Sequence, residues 1–489
     1  MTLARTAVRG SAASIGGQGF RIVLQLVGLA VLARLLEPAD FGVVAMVTAA
    51  IGLADILRDF GLSSAAVQAP SVSRGERVNL FWANTGLGLL CTVAVAASTP
   101  LLVALYDEPT LAHIVPALSL VLLISGINTQ YRADLGRALR FVALASSDVL
   151  AQLVGTLVAI AVALLGGGYW AIVAQQLTVA VVALVVNVVS TRWRPGLPQR
   201  CTSIRRFFRF GLSVFGTQVL GYAAKNADTV ALGAFWGSSV LGGYNRAQQI
   251  AVVPLNQING PLTRVALPML SKAHLDPARF SRAVLRAQLA GAYGTATVLA
   301  FVAGLAVPIV AVLLGPGWSE AAPILALLAI AGVFRSLSQL AYWMFLSSGR
   351  PGAQFALDLW AQPVMVAVIV LGASQGAVGA AWAAVAVWPV YWIVGLLVAS
   401  RSAGLAAGPL VWRAVRALLG VALPAALASW YVSQAIDGPL IALAAGLAAG
   451  AALVAVVALA VRPVRRDVAE VVTLVRHAAQ RGEKTSPQP

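Results

Sequence analysis

Residues 440–461 read LIALAAGLAAGAALVAVVALAV, twenty-two in succession without a charged or hydrogen-bonding side chain. About twenty apolar residues in a helix cross a hydrocarbon core roughly 30 Å thick. Lipid offers no partner to a backbone N–H or C=O, so a segment of this kind spans as a helix that satisfies its own backbone. Strands of a membrane barrel would be about half as long and would alternate apolar with polar residues. This segment does neither, and the segments upstream repeat its pattern. Reading back to the N-terminus gives about fourteen spans. Their limits are 14–36, 40–67, 80–99, 111–130, 142–165, 169–190, 210–234, 241–269, 283–314, 321–346, 353–373, 377–400, 414–435 and 440–461.

Composition agrees. Of 489 residues, 60% are hydrophobic and 10% charged, with mean hydropathy +0.86. A soluble chain carries about 25% charged residues, and no long hydrophilic stretch leaves room for a folded soluble domain. The net charge of +17 would suggest nucleic acid in a soluble protein. Here it follows from the loops, since cytoplasmic loops of membrane proteins collect Lys and Arg, and no nucleic-acid partner is expected. Cys91 and Cys201 stand in an apolar segment and a basic loop and read as free thiols. Arg5 and Arg9 precede an apolar segment longer than a signal-peptide core, which reads as a retained first helix.

Numbering the loops alternately from the inside separates the charges. One set holds Arg74 and Arg77, Arg132, Arg137 and Arg140, the run from Arg192 to Arg209, Lys272 to Arg286, Arg350, Arg401, Arg413 and the tail from Arg462. The other holds Glu37, Asp40, Asp107, Glu108, Glu320 and Asp437, with no Lys or Arg. A miscounted span would invert everything after it and mix the sets. The separation therefore predicts a multi-pass protein with both termini in the cytoplasm. The fold expected is all-α: two pseudo-symmetric six-helix lobes, 1–195 and 196–405, two further helices in 406–462, and a cytoplasmic amphipathic and disordered tail, 463–489. In that tail Val464, Val468, Val471 and Val475 recur at helical spacing among arginines, the pattern of a helix lying against anionic lipid.

Seven basic residues fall within spans: Arg21, Arg34, Arg58, Lys225, Arg246, Arg264 and Arg335. Asp55, Asp59, Asp148, Asp228 and Asp358 lie there too. A charge at mid-bilayer costs about 2.5–3.5 kcal/mol on insertion scales, so these residues should face an interior or a water-filled cavity, or snorkel to an interface. Gln18, Arg21, Gln25 and Gly28 share one face of span 1. Asn245, Gln249, Asn256, Asn259 and Thr263 cluster on one side of span 8. Arg246 and Arg264 are five turns apart on that helix, and Gln257 lies close to their direction. The polar face predicts a hydrated wall, with Pro254 and Pro261 as places where a kink would break it. Lys225 with Asp228, and Asp55 with Arg58, stand at i, i+3 and can pair. Arg335, central in span 10 with no acidic neighbour on its own helix, calls for a cavity or an anion. The basic excess favours an anionic substrate over a cation. No phosphate loop, zinc spacing or nucleophile elbow is present, so no enzyme chemistry is expected, and no cofactor.

Several stretches resemble the colanic-acid branch of Wzx-type polysaccharide exporters, in the multidrug/oligosaccharidyl-lipid/polysaccharide superfamily. They are Val31-Leu32-Ala33-Arg34-Leu35-Leu36-Glu37-Pro38-Ala39-Asp40-Phe41-Gly42, Asp59-Phe60-Gly61-Leu62-Ser63-Ser64-Ala65-Ala66-Val67-Gln68, Leu80-Phe81-Trp82-Ala83-Asn84, Leu241-Gly242-Gly243-Tyr244-Asn245-Arg246-Ala247 and Pro254-Leu255-Asn256-Gln257-Ile258. The resemblance implies a V-shaped pair of six-helix bundles around a central cavity, alternating access, and an undecaprenyl-pyrophosphate-linked oligosaccharide as cargo in a bacterial inner membrane. By position it makes Arg21, Arg58, Lys225 and Arg264 the cationic cavity residues. With Asp228, Arg246, Asn256, Gln257 and Arg335 these form the expected substrate-binding set. Coupling to a proton or sodium gradient stays open. Membrane lipids and other polysaccharide assembly proteins are the remaining partners. A multidrug or cation antiporter of the same superfamily, a non-transporting scaffold, and a polymerase or ligase are the alternatives. The last is disfavoured because the outside loops are too short for a catalytic domain.

Overall fold

The computed structural model describes residues 19–21, 23–59, 62, 71–199, 202–274, 276–470 and 473. Among them there is no strand. The chain is a multi-pass membrane protein, with eleven helices among the described residues long and apolar enough to cross a bilayer. Helix α1 covers residues 19–35 except 22. It is followed by α2 (Pro38–Asp59), α3 (Arg74–Ala97), α4 (Thr99–Tyr106), α5 (Leu111–Arg137), α6 (Phe141–Leu164), α7 (Trp170–Thr191) and α8 (Arg205–Ala273). Next come α9 (Pro277–Gly304), α10 (Ala306–Leu313), α11 (Ala321–Ser347), α12 (Pro351–Ala373), α13 (Ala377–Ala403), α14 (Ala407–Gln434) and α15 (Pro439–Ala460). The last helix is α16, residues 462–470. The eleven apolar helices coincide with expected spans 2–6 and 9–14. Of the two cysteines, Cys91 is a buried free thiol, and Cys201 lies outside the described residues.

Expected spans 7 and 8 are continuous in α8, which runs 69 residues with one break at Gly237 (φ 76°, ψ −171°). No turn of several residues separates them. The left-handed φ is open to glycine without a Cβ penalty, so one residue suffices. Helical geometry continues through Pro254 and Pro261.

By contacts the chain forms two compact units, Met1–Gly242 and Gly243–Pro489. In the first, α3 and α5 cross at their glycines. A Cβ on Gly126 would stand 2.6 Å from the carbonyl oxygen of Asn84, and one on Gly88 2.9 Å from that of Leu122. Without a hydrophobic drive between helices in lipid, close backbone approach is what holds them. Thr92 Oγ1 adds a bond to Ser119 O (3.0 Å), and Asn187 Nδ2 donates to Asn128 Oδ1 (3.0 Å) between α7 and α5. The segment after α7 is pinned to this unit. Trp193 packs edge-on against Phe81 and Tyr131 with the Arg77 guanidinium 4.1 Å from its ring centre. Asn79 and Trp82 donate to the carbonyls of Gln199 and Gly196.

In the second unit α11 is the central helix, packed on α13 and α9, with Leu337, Trp343, Met344 and Phe345 in the core alongside Leu299, Trp392 and Leu396. Helices α12 and α15 bury little of their surface. Leu371 and Leu440 point outward, as does Leu165 of the first unit, 87% exposed. In water such surface would drive aggregation; in a bilayer it is the solvated face.

The tail departs from its expected role. Helix α16 is docked on protein: Val464 is 1% exposed and packs beside Gly420, and Asp467 is 6% exposed. The Asp467 carboxylate accepts from Tyr293 Oη (3.0 Å) on α9 and pairs with Arg416 on α14, while Glu470 pairs with Arg286 (2.9 Å). Val464, Asp467 and Glu470 share one face at spacing three, and Arg462, Arg465 and Arg466 face out. The acidic residues turned the protein-facing side into a clamp, which a pattern of valines alone does not reveal. Val471 and Val475 lie outside the described residues.

Gly126→Leu should lower the unfolding midpoint in detergent by about 5 °C, the scale of ~1–3 kcal/mol of overpacking. Gly86→Ala, where a Cβ meets open space, should leave it unchanged.

Candidate functional site

The first unit contributes four of the expected residues. Arg58, one helical turn from its partner on α2, is 5% exposed. Its Nε donates to Asp55 Oδ1 (2.8 Å) and its Nη1 to Thr129 Oγ1 (2.7 Å) on α5. Thr129 Oγ1 itself donates to Ser125 O (2.8 Å). The i, i+3 pair expected from sequence is present, and the guanidinium also ties α2 to α5. Arg21, half exposed, reaches Asp148 Oδ2 at 3.8 Å. Asp148 already accepts two bonds from Arg132, 2.6 and 3.4 Å. Two guanidiniums thus share one carboxylate, leaving the group positive. Lys225 is exposed. Asp228 is buried, accepting from the backbone N of Thr229 at 2.7 Å. Gln18, the first residue of the expected face on span 1, lies outside the described residues.

The second unit divides the polar face of α8. Arg246 Nη1 donates to Gln249 Oε1 (2.6 Å), three residues along the same helix. About two turns beyond Gln249, Asn256 and Gln257 are exposed. Beyond them the face is packed. Asn259 Oδ1 accepts from Thr295 Oγ1 of α9 (3.5 Å) and Ser336 Oγ of α11 (3.4 Å). Thr263 Oγ1 accepts from Trp343 Nε1 (3.0 Å). The sequence reading took the whole face as a hydrated wall. The half beyond Gln257 instead finds its partners on two neighbouring helices, as buried polar groups require. Arg264 stands on this helix, and its side chain lies outside the described residues.

Arg335 sits midway along α11, half-buried, its Cζ 5.4 Å from the ring centre of Trp388 on α13. Trp388 in turn stands edge-on to Tyr391 (5.7 Å). Tyr391 Oη donates to Asp358 Oδ1 (2.7 Å), and Gln354 Nε2 donates to Asp358 Oδ2 (2.9 Å). A guanidinium over an indole face gains about 0.5–2 kcal/mol, more as water is removed. Trp388, Thr295, Ser336 and Trp343 were not among the expected site residues. Each lies on a different helix from the residue it serves, and helical periodicity reads only along one helix.

The family model described as polysaccharide biosynthesis protein matches residues 31–323. The chain is 28% identical over 370 residues to the lipopolysaccharide biosynthesis protein WzxC of Escherichia coli K12, with 73% of each chain covered. It is 25% identical over 338 residues to the teichuronic acid biosynthesis protein TuaB of Bacillus subtilis, covering 69% of this chain and 70% of that one. Among solved structures, the lipid II flippase MurJ in its inward closed conformation aligns with TM-score 0.69 at 13% identity, over 90% of this chain and 97% of that one. An inward-facing MATE-family multidrug transporter of the MOP superfamily aligns with TM-score 0.63 at 17% identity, over 78% and 94%. The chain therefore shares its fold with these two transporters.

Arg58→Ala should lower the unfolding midpoint by the loss of about 1–3 kcal/mol from its charge-assisted bonds, and Thr129→Val should reproduce part of that loss. Lost transport with an unchanged midpoint would overturn the helix-tying role. Since the matched stretch is more than half of the 489 residues, the chain belongs to the polysaccharide biosynthesis protein family.

Proposed function

We propose that this protein flips an undecaprenyl-pyrophosphate-linked oligosaccharide across a bacterial inner membrane during polysaccharide biosynthesis, by alternating access. One observation carries the reading beyond the family: a guanidinium, Arg335, placed at mid-span on an aromatic face rather than beside a carboxylate of its own helix. Charges at that depth are costly and are kept for function. Arginine offers paired donors that match phosphate oxygens. In this reading Arg21, Arg58, Arg264 and Arg335 hold the pyrophosphate, with Lys225 and Arg246 adding to the positive field. Asn256 and Gln257, the exposed part of the span 8 face, meet the sugar. The lipid tail stays in hydrocarbon.

The mechanism follows from charge and binding. A diphosphate stripped of water needs fixed positive groups wherever it rests, and rocking of two helical lobes (1–195 and 196–405) about it exposes it to one side and then the other. Helices 13 and 14 (406–462) would lie outside this pair. Fourteen spans with both ends in the cytoplasm complete the picture. The names of relatives support a glycan passenger: WzxC for lipopolysaccharide, TuaB for teichuronic acid, and the succinoglycan transport protein ExoT of Rhizobium meliloti, 25% identical over 329 residues.

Replacing Arg264 or Arg335 by Ala should cut export of labelled lipid-linked sugar from reconstituted vesicles about tenfold or more, the effect of losing ~1.5–3 kcal/mol of charged hydrogen bonding. Insertion and detergent stability should stay normal. Full export with both replaced would refute the cationic site. A cation antiporter would instead fail on Asp55→Asn or Asp228→Asn and tolerate both arginine changes.

A further inference from the structure

Helix α16 follows the last apolar helix, α15, with only Val461 between them. We propose that the outward side of α16, together with Trp412 and Arg413 at the start of α14, is a docking surface for the anionic lipid headgroups of the cytoplasmic leaflet. The surface lies within the second unit and takes no part in holding the cargo, so it stands whether or not the cargo reading does.

The helix sorts its charges by side. Its two acids turn inward: Asp467 takes bonds from Tyr293 Oη of α9 (3.0 Å) and from Arg416 of α14, and Glu470 Oε1 accepts from Arg286 Nε (2.9 Å). Val464 is buried beside Gly420. These contacts fix how the helix is turned. Its three basic residues, Arg462, Arg465 and Arg466, lie on the other side and are exposed. No acceptor among the described residues takes up their guanidiniums, nor that of Arg413, one turn before Arg416 on α14. Arg462 stands at i, i+3 to Arg465 and at i, i+4 to Arg466, and like charges at those spacings repel across one helix face. The acids that could have relieved the repulsion are committed to the protein, so the relief has to come from outside, as an anion or a charged surface.

Exposed apolar residues on the same helices mark where that surface lies. Val456 and Leu459 of α15 are exposed, Leu459 by 72%, and Arg462 comes one turn after Leu459. On α14, Leu419 is exposed, and Trp412, two turns before it on the same face, is 65% exposed. Tryptophan is the residue of the boundary between hydrocarbon and headgroups. Both helices therefore pass from lipid-facing apolar side chains to an interfacial or basic group within one or two turns. The charge bias of the loops places this end on the cytoplasmic side, where the leaflet is anionic and attracts basic segments next to a transmembrane helix. An acidic protein segment would match the charge, but it would have no use for guanidiniums aligned with the lipid-facing Leu419 and Leu459.

The test places the full-length chain in nanodiscs of phosphatidylcholine and in discs that also contain phosphatidylglycerol, and reads hydrogen exchange over residues 462–470 by mass spectrometry. Exchange should be about tenfold slower in the discs with phosphatidylglycerol. Replacing Arg462, Arg465 and Arg466 together by Gln should erase that difference. So should about 0.5 M salt, which screens the exposed arginines far more than the buried Asp467 pair. Arg192→Gln with Arg194→Gln, both exposed in the first unit, should leave the difference intact. Equal exchange in the two kinds of disc would overturn the proposal. A difference that survives the triple variant would point to apolar burial or a protein contact and would overturn it too, as would one lost equally in the control pair. Should the triple variant release α16, seen as fast exchange in both discs, the salt series on the unaltered chain decides: slow exchange that persists in salt overturns the surface.

Discussion

Hydrocarbon supplies no hydrogen-bond partner, and the architecture follows from that single lack. Backbone groups close on themselves in helices. Side-chain polar groups that enter a span need an acceptor already inside the protein, so helices must come close where those groups lie. The crossing of α3 and α5 shows both halves of this logic. Gly88 and Gly126 remove side-chain bulk, the backbones approach, and Thr92 can then reach the carbonyl of Ser119 across the gap. The buried Asn187–Asn128 bond and the Trp343–Thr263 bond repeat it elsewhere in the two units. Van der Waals packing of small residues and such bonds, each modest alone, replace the hydrophobic drive that a soluble core would use.

Charges face the same lack more severely, and the protein handles them in three ways that differ in what remains for a ligand. Arg58 is clamped by Asp55 and Thr129, so its charge is compensated locally and its geometry fixed. Asp148 is shared by Arg132 and Arg21, which leaves one net positive charge at a half-exposed position, where solvent screens the pairing and its worth is small. Arg335 rests at mid-span beside the ring of Trp388 on a neighbouring helix, an aromatic contact that helps to steady the guanidinium.

What was legible in the sequence is what repeats along one helix. Apolar length located spans 2–6 and 9–14, and spacing of three paired Asp55 with Arg58. What was not legible requires knowing which helices touch. Asn259 and Thr263 share a side of the helical wheel with Asn256, yet Thr295, Ser336 and Trp343 take up the first two while Asn256 stays exposed. The tail is the same case. Val464 at helical spacing among arginines reads as a lipid-facing stripe, but Asp467 meets Tyr293 and Arg416, residues 174 and 51 positions away in the chain. The break at Gly237 was hidden for a different reason. A single left-handed glycine replaces a loop, and glycine is too common in apolar spans to mark itself.

The carboxylates bear on the sign of the passenger. Asp55 accepts from Arg58, Asp148 from Arg132, Asp358 from Tyr391 and Gln354, and Asp228 from Thr229. Each is committed to donors that a cation would have to displace, with loss of bonds that also order the helices. Binding a cation would therefore work against contacts that order the helices within each unit, which is the physical reason these carboxylates do not read as a cation site.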